Sequence, residues 1–427
     1  LAALPLFGQQ STADLERRVR ELEERLQQLE KLLVDRGVTP PPVAAVQTPT
    51  PQTPAIVQEP VRAIQPVSIT GDFQTSRNGE TRLPVAGYMD FHVNKEMGDS
   101  YRPDFHRFVL LFGHSFSDNI KFWSEFELEH SLLEPAEGEG GEIALEQAYL
   151  DFLIKPYFNV RAGMVLTPMG IVNERHEPPS FNGVERPFVE TFIIPSTWRE
   201  LGAGITGDLG RGFRYRGYIT SSLDASRFTA EGGISDGRAK GLDASLRNPA
   251  KSIRLEYLGV RRLTAGLSFY NGHTGYNLTN GLNPRVNMLE FDARYSYRRF
   301  DVRALFANTW LSKAGELNRQ LQIETGVNPN VASQMRGFYI EPAYHVLPRQ
   351  DRFDLIFFTR YEKYNTQQKM PIGYLPLGEF NRSTWLTGVT FKPTADVAVK
   401  FDYNFNSNES AIFHAVNGVN LGIGWWF

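Results

Sequence analysis

The sequence predicts an all-β chain, a 16-stranded antiparallel transmembrane β-barrel preceded by a short N-terminal coiled-coil helix and a Pro-rich linker. Three observations lead there. From about residue 85 onward, large apolar residues recur with period two. The connections between the predicted strands alternate between short and long, as in barrels that cross a bilayer. Aromatic residues are abundant (30 Phe and 17 Tyr), yet mean hydropathy is only −0.33. No apolar run reaches the roughly 18 residues of a membrane helix. Alternating strands reconcile the two, because outward and inward residues average to mild polarity.

The first nine residues, 1–9, have the small and apolar character of a signal-peptide remnant, and part of them is expected to be absent from the mature protein. Residues 11–37 follow as one predicted helix, with Ser11 and Asp14 at its start and Gly37 and Pro40 at its end. Leu15, Val19, Leu22, Leu26, Leu29 and Leu33 repeat at four, three, four, three, four, a heptad seam. The register puts Arg18 and Arg25 at g and Glu16, Glu23 and Glu30 at e, so that Arg18 meets Glu23 and Arg25 meets Glu30 of a neighbouring parallel helix. Arg18-Val-Arg-Glu-Leu-Glu23 and Arg25-Leu-Gln-Gln-Leu-Glu30 resemble the Arg-apolar-x-x-apolar-Glu pattern of short trimeric coiled coils. Three heptads are marginal alone, so a homotrimer would need its barrels as well. Residues 38–69 carry Pro at 40, 41, 42, 49, 51, 54, 60 and 66 and read as a semi-rigid linker. At about 3.1 Å per residue, it could hold the coil up to about 80 Å from the barrel, in the periplasm.

Residues 70–427 contain the predicted barrel. Sixteen strands are expected at 85–97, 104–117, 120–132, 142–154, 158–168, 201–209, 213–222, 251–259, 263–271, 286–297, 300–311, 335–347, 353–365, 382–392, 397–406 and 413–427. Every second connection is brief, as at Lys155-Pro-Tyr157, Gly210-Arg-Gly212 and Arg298-Arg299. A soluble sandwich has no reason to shorten alternate turns. The even count returns both ends of the barrel to the periplasmic side. In the closing strand Leu421, Ile423, Trp425 and Phe427 share one face. That tail resembles the C-terminal signal that bacterial outer-membrane barrels present to the barrel-assembly machinery.

The strand at 397–406 exposes the facing code: Val397, Val399, Phe401, Tyr403 and Phe405 alternate with Lys400, Asp402 and Asn404. A lipid-facing Lys or Arg at mid-membrane costs about 2–4 kcal/mol, so the charged row must point inward. The same rule makes Glu125, Glu127, Asp151, Arg161, Arg214, Arg216, Arg254, Arg303 and Arg360 candidate pore-lining residues, with Lys121, Glu256, Glu290, Asp292, Arg294 and Glu362 beside them. So charged an interior predicts a water-filled channel.

The loop at 169–200, between the fifth and sixth strands, carries Glu174, Arg175, Glu185, Arg186, Glu190, Arg199 and Glu200, together with apolar Phe188, Val189, Phe192, Ile193 and Ile194. Those apolar residues make sense only folded inward against the wall. The run from Ser180 through Arg186, Phe188 and Trp198 to Gly202, with the order coil, linker and barrel, resembles the phosphate-selective porin O and P type superfamily. The resemblance covers essentially the whole chain. It implies a trimeric channel in a Gram-negative outer membrane that passes small hydrophilic solutes or ions, with the loop after the fifth strand folded in to narrow the pore. Phosphate selectivity is not implied, because Arg175, Arg186 and Arg199 each sit next to a glutamate in sequence.

Other chemistries find little support. Cysteine is absent, which removes disulfides and zinc–thiolate sites. The net charge of −3 and the pI near 6.3 argue against nucleic acid as a partner. Gly202-Ala-Gly204-Ile-Thr-Gly207 fits G-x-G-x-x-G, but a strand follows it where a helix is required. The eight His are dispersed, no catalytic triad is recognisable, and no cofactor, metal or enzymatic activity is expected. Expected partners are two further copies of the chain, outer-membrane lipid and lipopolysaccharide, and the assembly machinery. The rival reading is a structural barrel that tethers the membrane to the cell wall, its coil touching peptidoglycan or a periplasmic protein.

Overall fold

A computed structural model of the chain describes residues 85–130, 143–241, 244–347 and 353–427. The expected signal remnant, coil (Arg18, Val19, Leu22, Glu23, Arg25, Leu26, Leu29 and Glu30 included) and linker lie outside the described residues, as do 70–84.

Sixteen antiparallel strands close on themselves in sequence order. They are β1 Val85–Glu96, β2 Arg102–Ser117, β3 Ile120–Glu129, β4 Ile143–Lys155, β5 Phe158–Leu166 and β6 Arg199–Gly210. Next come β7 Phe213–Thr220, β8 Ala250–Tyr257, β9 Leu263–His273, β10 Arg285–Tyr297 and β11 Phe300–Leu311. The circuit finishes with β12 Gln334–His345, β13 Asp354–Lys369, β14 Asn381–Thr394, β15 Val397–Asn408 and β16 Gly418–Trp426. All sixteen expected strands are present, most within two or three residues of the expected bounds. The largest correction is at β16, which starts at Gly418 and not at 413, because Ser410 and Asn417 hold the preceding residues in side-chain-capped turns. Short turns gather at one end of the barrel. At Arg211 and Gly212 both φ values are positive, the geometry that suits the right-handed twist of a two-residue hairpin. At the other end one long connection carries an unforeseen helix, α1 Ala314–Thr325, whose Leu317 and Leu321 are buried.

Closure pairs Tyr88 through Glu96 of β1 with Trp426 back to Gly418 of β16. Gly87 then exchanges both backbone bonds with Phe427, at 3.0 and 2.9 Å. A Cβ at Gly87 would meet the Phe427 ring at 2.5 Å, so the glycine is what admits the terminal aromatic. Strand faces obey the charge rule. On β15, Val399, Phe401 and Phe405 are 39–52% exposed, while Ala398, Lys400, Asp402 and Asn404 are buried. Trp385, Phe357, Phe291 and Leu421 extend this outward apolar surface around the sheet.

The interior departs from expectation. On the β9–β13 side it is packed, not open: Tyr270, Met288, Leu305, Met335 and Tyr339 join Val189, Ile193 and Trp198 in one apolar cluster. A second inward connection, between β7 and β8, adds Leu223, Phe228 and Ile234. The charge rule could not show this packing, because Glu290, Asp292, Glu341, Arg360 and Glu362 face inward on the same strands and are themselves buried.

Candidate functional site: the loop-filled interior

The loop between β5 and β6 is rooted by Asn173. Its amide nitrogen donates to the carbonyls of Thr167 (2.8 Å) and Trp198 (3.3 Å), and its oxygen accepts from Trp198 N at 2.7 Å. One side chain thus ties the loop's two ends together. From there the loop runs along the inner wall in two docked stretches.

The first stretch lies on β12 to β16. Lys400 Nζ donates to the carbonyls of Pro178 (2.5 Å) and Gly183 (2.8 Å), and Lys392 Nζ to that of Pro179 (2.7 Å). Asp402 accepts from Val184 N at 2.6 Å, and Glu341 from Asn182 Nδ2 at 2.8 Å. Two inward glycines of β16 leave the necessary room: a Cβ on Gly424 would sit 2.3 Å from Pro178 Cβ, and one on Gly422 3.0 Å from Val184. In the second stretch, Val189 N donates to Glu362 (3.0 Å), and a single π-helical turn at Val189–Ile193 buries Val189, Ile193 and Ile194 completely.

These contacts correct one expectation directly. Arg360 points inward as predicted, but it is 0% exposed and lines neither cavity described below. Its Nε donates to Glu362 (2.7 Å) and its Nη1 to Glu341 (3.1 Å), the two carboxylates that hold the loop. It is an anchor beneath the loop, because facing inward does not by itself mean facing water.

The loop leaves two polar cavities inside the barrel. One, of about 390 Å³, lies toward the long connections and is lined by Asp90, Glu127, Glu129, Glu146 and Glu185 against Arg107, Arg186, Arg199, Arg238 and Lys240. The other, of about 340 Å³, lies toward the short turns, with Arg161, Arg175, Arg214, Arg216, Arg254 and Arg294 against Glu174, Asp208 and Glu256. The first balances its formal charges. The second has an excess of three positive ones.

A buried network sits where the lining passes from Glu146 of the first cavity to Gln147 of the second. His176 lies 3.0 Å from Glu146 and 3.4 Å from Glu125, and Glu125 accepts from Tyr88 (2.9 Å) and Gln147 (2.6 Å). Arg199 reaches Glu146 at 3.3 Å. Burial works against a charged His176, but the carboxylates of Glu146 and Glu125 outweigh it and push the imidazole up to about 10. Glu190 is pushed up to about 7, chiefly by burial, while it bonds Val172 N and Tyr339 Oη at 2.7 Å each.

Among the other expected site residues, Glu125, Glu127 and Arg254 are buried. Asp151 holds Arg161 through two bonds of 2.7 and 2.8 Å, and Arg214 is half exposed beside Asp208. Arg303 stands opposite Glu341 in the register and lines neither cavity. Charges expected on the loop find partners beyond their sequence neighbours: Glu174 pairs with Arg216 at 3.1 Å, and Glu200, which with Arg199 stands at the start of β6 and not on the loop, accepts from Trp198 and Ser221. His92, His106 and His130, dispersed in sequence, meet around Asp104.

Two loop groups with raised values, Glu190 and His176, make docking pH-dependent. Both prefer their protonated form when folded, so each contributes fully below its unfolded value and loses that contribution as pH rises. For Glu190 the loss spans 4.5 to about 7, and for His176 it spans 6.5 to about 10. The thermal midpoint of the folded barrel should therefore decline in two stages from pH 4.5 to 10. Glu190→Gln should flatten the first stage and His176→Gln the second. Identical pH profiles for wild type and both variants would remove these groups from docking.

No family model matches the chain. Its fold is shared with solved outer-membrane structures. Salmonella typhi OmpF in complex with daunomycin is 13% identical at a TM-score of 0.55, over 80% of this chain and 97% of that one. The outer membrane channel DcaP of Acinetobacter baumannii is 12% identical at 0.55, over 80% and 96%. An anion-selective porin from Comamonas acidovorans is 13% identical at 0.50, over 80% and 98%. Likeness at such identities is one of fold. Closer in sequence is an uncharacterized protein of Aquifex aeolicus (strain VF5), 36% identical over 336 residues that cover 75% of each chain. At that identity and coverage common descent is the only economical explanation, and the chain belongs to the same protein family as this Aquifex aeolicus relative.

Proposed function

We propose that the chain is an outer-membrane porin, a passive channel for small hydrophilic solutes or ions narrowed by the inward loop. One observation carries the reading: a closed sheet, apolar outside, encloses two charged cavities on either side of a loop pinned to the inner wall. An outward face of this kind is favourable only against lipid, and a polar interior of this kind suits water and ions. The shared fold of the three outer-membrane structures supports the location. The run from Ser180 to Gly202 supports kinship with the phosphate-selective superfamily, and the heptads at 11–37 support a homotrimer with its coil in the periplasm. Lipid and lipopolysaccharide would contact the outer surface, and the assembly machinery the β16 tail.

Planar-bilayer recording of the purified, folded protein tests this. Stepwise openings in groups of three are expected. A folded barrel that conducts nothing would sink the diffusion channel and favour the wall-tethering role.

A further inference from the structure

We propose that His92, His106 and Asp104 form a binding site for a divalent first-row transition ion of the zinc type, at the end of the barrel that carries the long connections, with His130 bonded to Asp104 at its rim. Antiparallel pairing sets His92 of β1 opposite Asp104 of β2. A bulge between those strands spaces His106 so that it shares the inner side, and a backbone bond from His130 N to His106 O (2.9 Å) brings in the third imidazole. His92 Nε2 and His106 Nδ1 each lie 3.3 Å from Asp104 Oδ2, and His130 Nδ1 lies 2.9 Å from it.

A ring nitrogen of His92, one of His106 and an oxygen of Asp104 all lie within 4.8 Å of one another, while His130 Nδ1 spans both Asp104 oxygens at 3.0 and 2.9 Å. Tetrahedral zinc with bonds of about 2.0–2.1 Å has ligand atoms about 3.3–3.4 Å apart, close to the 3.3 Å that separates Asp104 Oδ2 from His92 Nε2 and from His106 Nδ1. A ligating histidine also turns its remaining N–H toward a carboxylate. His92 is 5% exposed, and its Nδ1 has no hydrogen-bond partner among the described residues, but it stands 3.4 Å from Glu185 Oε1. Glu185 belongs to the inward loop, so a bound ion would fasten that loop to the wall. Imidazole donors select against magnesium and calcium. Access is open, since Asp104, His106 and His130 keep 24–43% of their side chains exposed.

Equilibrium dialysis of the full detergent-folded protein against zinc chloride tests the site whether or not the barrel conducts. One zinc per chain is expected, undisturbed by excess magnesium or calcium. H92Q/H106Q should abolish uptake, and E185Q should weaken it about tenfold to a hundredfold, as loss of an outer-shell carboxylate does. H176Q removes the separate buried group of Glu125, Glu146 and His176 and, acting only through loop docking, should weaken uptake no more than E185Q does. Should H92Q/H106Q fail to fold, H106A serves in its place, the His106 side chain being 24% exposed. Wild-type uptake no greater than that of H92Q/H106Q or H106A would overturn the proposal, as would loss of zinc in H176Q alone.

Discussion

Replacing Arg360 with methionine is expected to cost about 3–5 kcal/mol, the usual penalty for stripping one partner from a buried ion pair. The guanidinium bridges Glu341 and Glu362, which are 2% and 0% exposed. Each of those carboxylates also holds the inward loop, one at Asn182 and the other at Val189. Without the arginine two like charges remain together in a dry layer, and they escape by protonation or by admitting water. Either route undocks the loop. Protease susceptibility should therefore rise within residues 178–194, and the thermal midpoint should fall. Neutralising both acids as well, in R360M/E341Q/E362Q, should recover most of the loss, because an uncharged layer of similar volume carries no desolvation debt. Equal protease resistance in wild type and Arg360→Met would mean the loop is held by other contacts.

That prediction marks where the sequence stops being legible. The strands could be read because a membrane barrel allows only one facing for a charge, so Lys400 and Asp402 fix the orientation of Phe401 between them. The inward loop could be read because Phe188, Val189 and Ile193 had no other apolar surface to meet. Depth inside the barrel could not be read. Arg360 and Arg216 obey the same alternation, but one lies sealed under the loop and the other is 22% exposed at a cavity. Asn182 and Val189 of the loop bond the two carboxylates that flank Arg360, and glycines 422 and 424 give the same loop room against β16.

The histidine cluster was hidden for a related reason. His92 and Asp104 could have been paired by counting back from the turn at 97–101. The bulge that adds an extra residue opposite Phe91 could not have been counted, and without it His106 would face the other way. The second inward connection, around Leu223, Phe228 and Ile234, did carry a signal. Its apolar residues lack the spacing of either a strand or a helix, so only a wall already known to be apolar gives them a place.

In the channel proposed above, reversing charge in the cavity near the short turns should reverse the ion preference. Two of its arginines are committed elsewhere. Arg161 is held by Asp151 and lies 3.9 Å over the Tyr149 ring, and Arg254 is 2% exposed against Asp292 and Glu290. Arg216 and Arg294 keep 22% and 21% of their side chains exposed while sharing Glu256, so their field reaches the water. With Arg161 and Arg254 set aside, four arginines face three carboxylates, and the wild-type cavity should favour anions modestly, since the first cavity is balanced and adds no bias. The variant R216E/R294E leaves two such arginines against five carboxylates, a deficit of three. Reversal potentials across a potassium chloride gradient should then change sign between wild type and variant. The contrast should be largest near 0.1 M, where screening extends over about 10 Å, and should fade toward 1 M, where it falls to about 3 Å. A conducting variant with the wild-type sign would place the ion filter outside this cavity, and the balanced lining around Glu127 and Arg107 would be the next place to mutate.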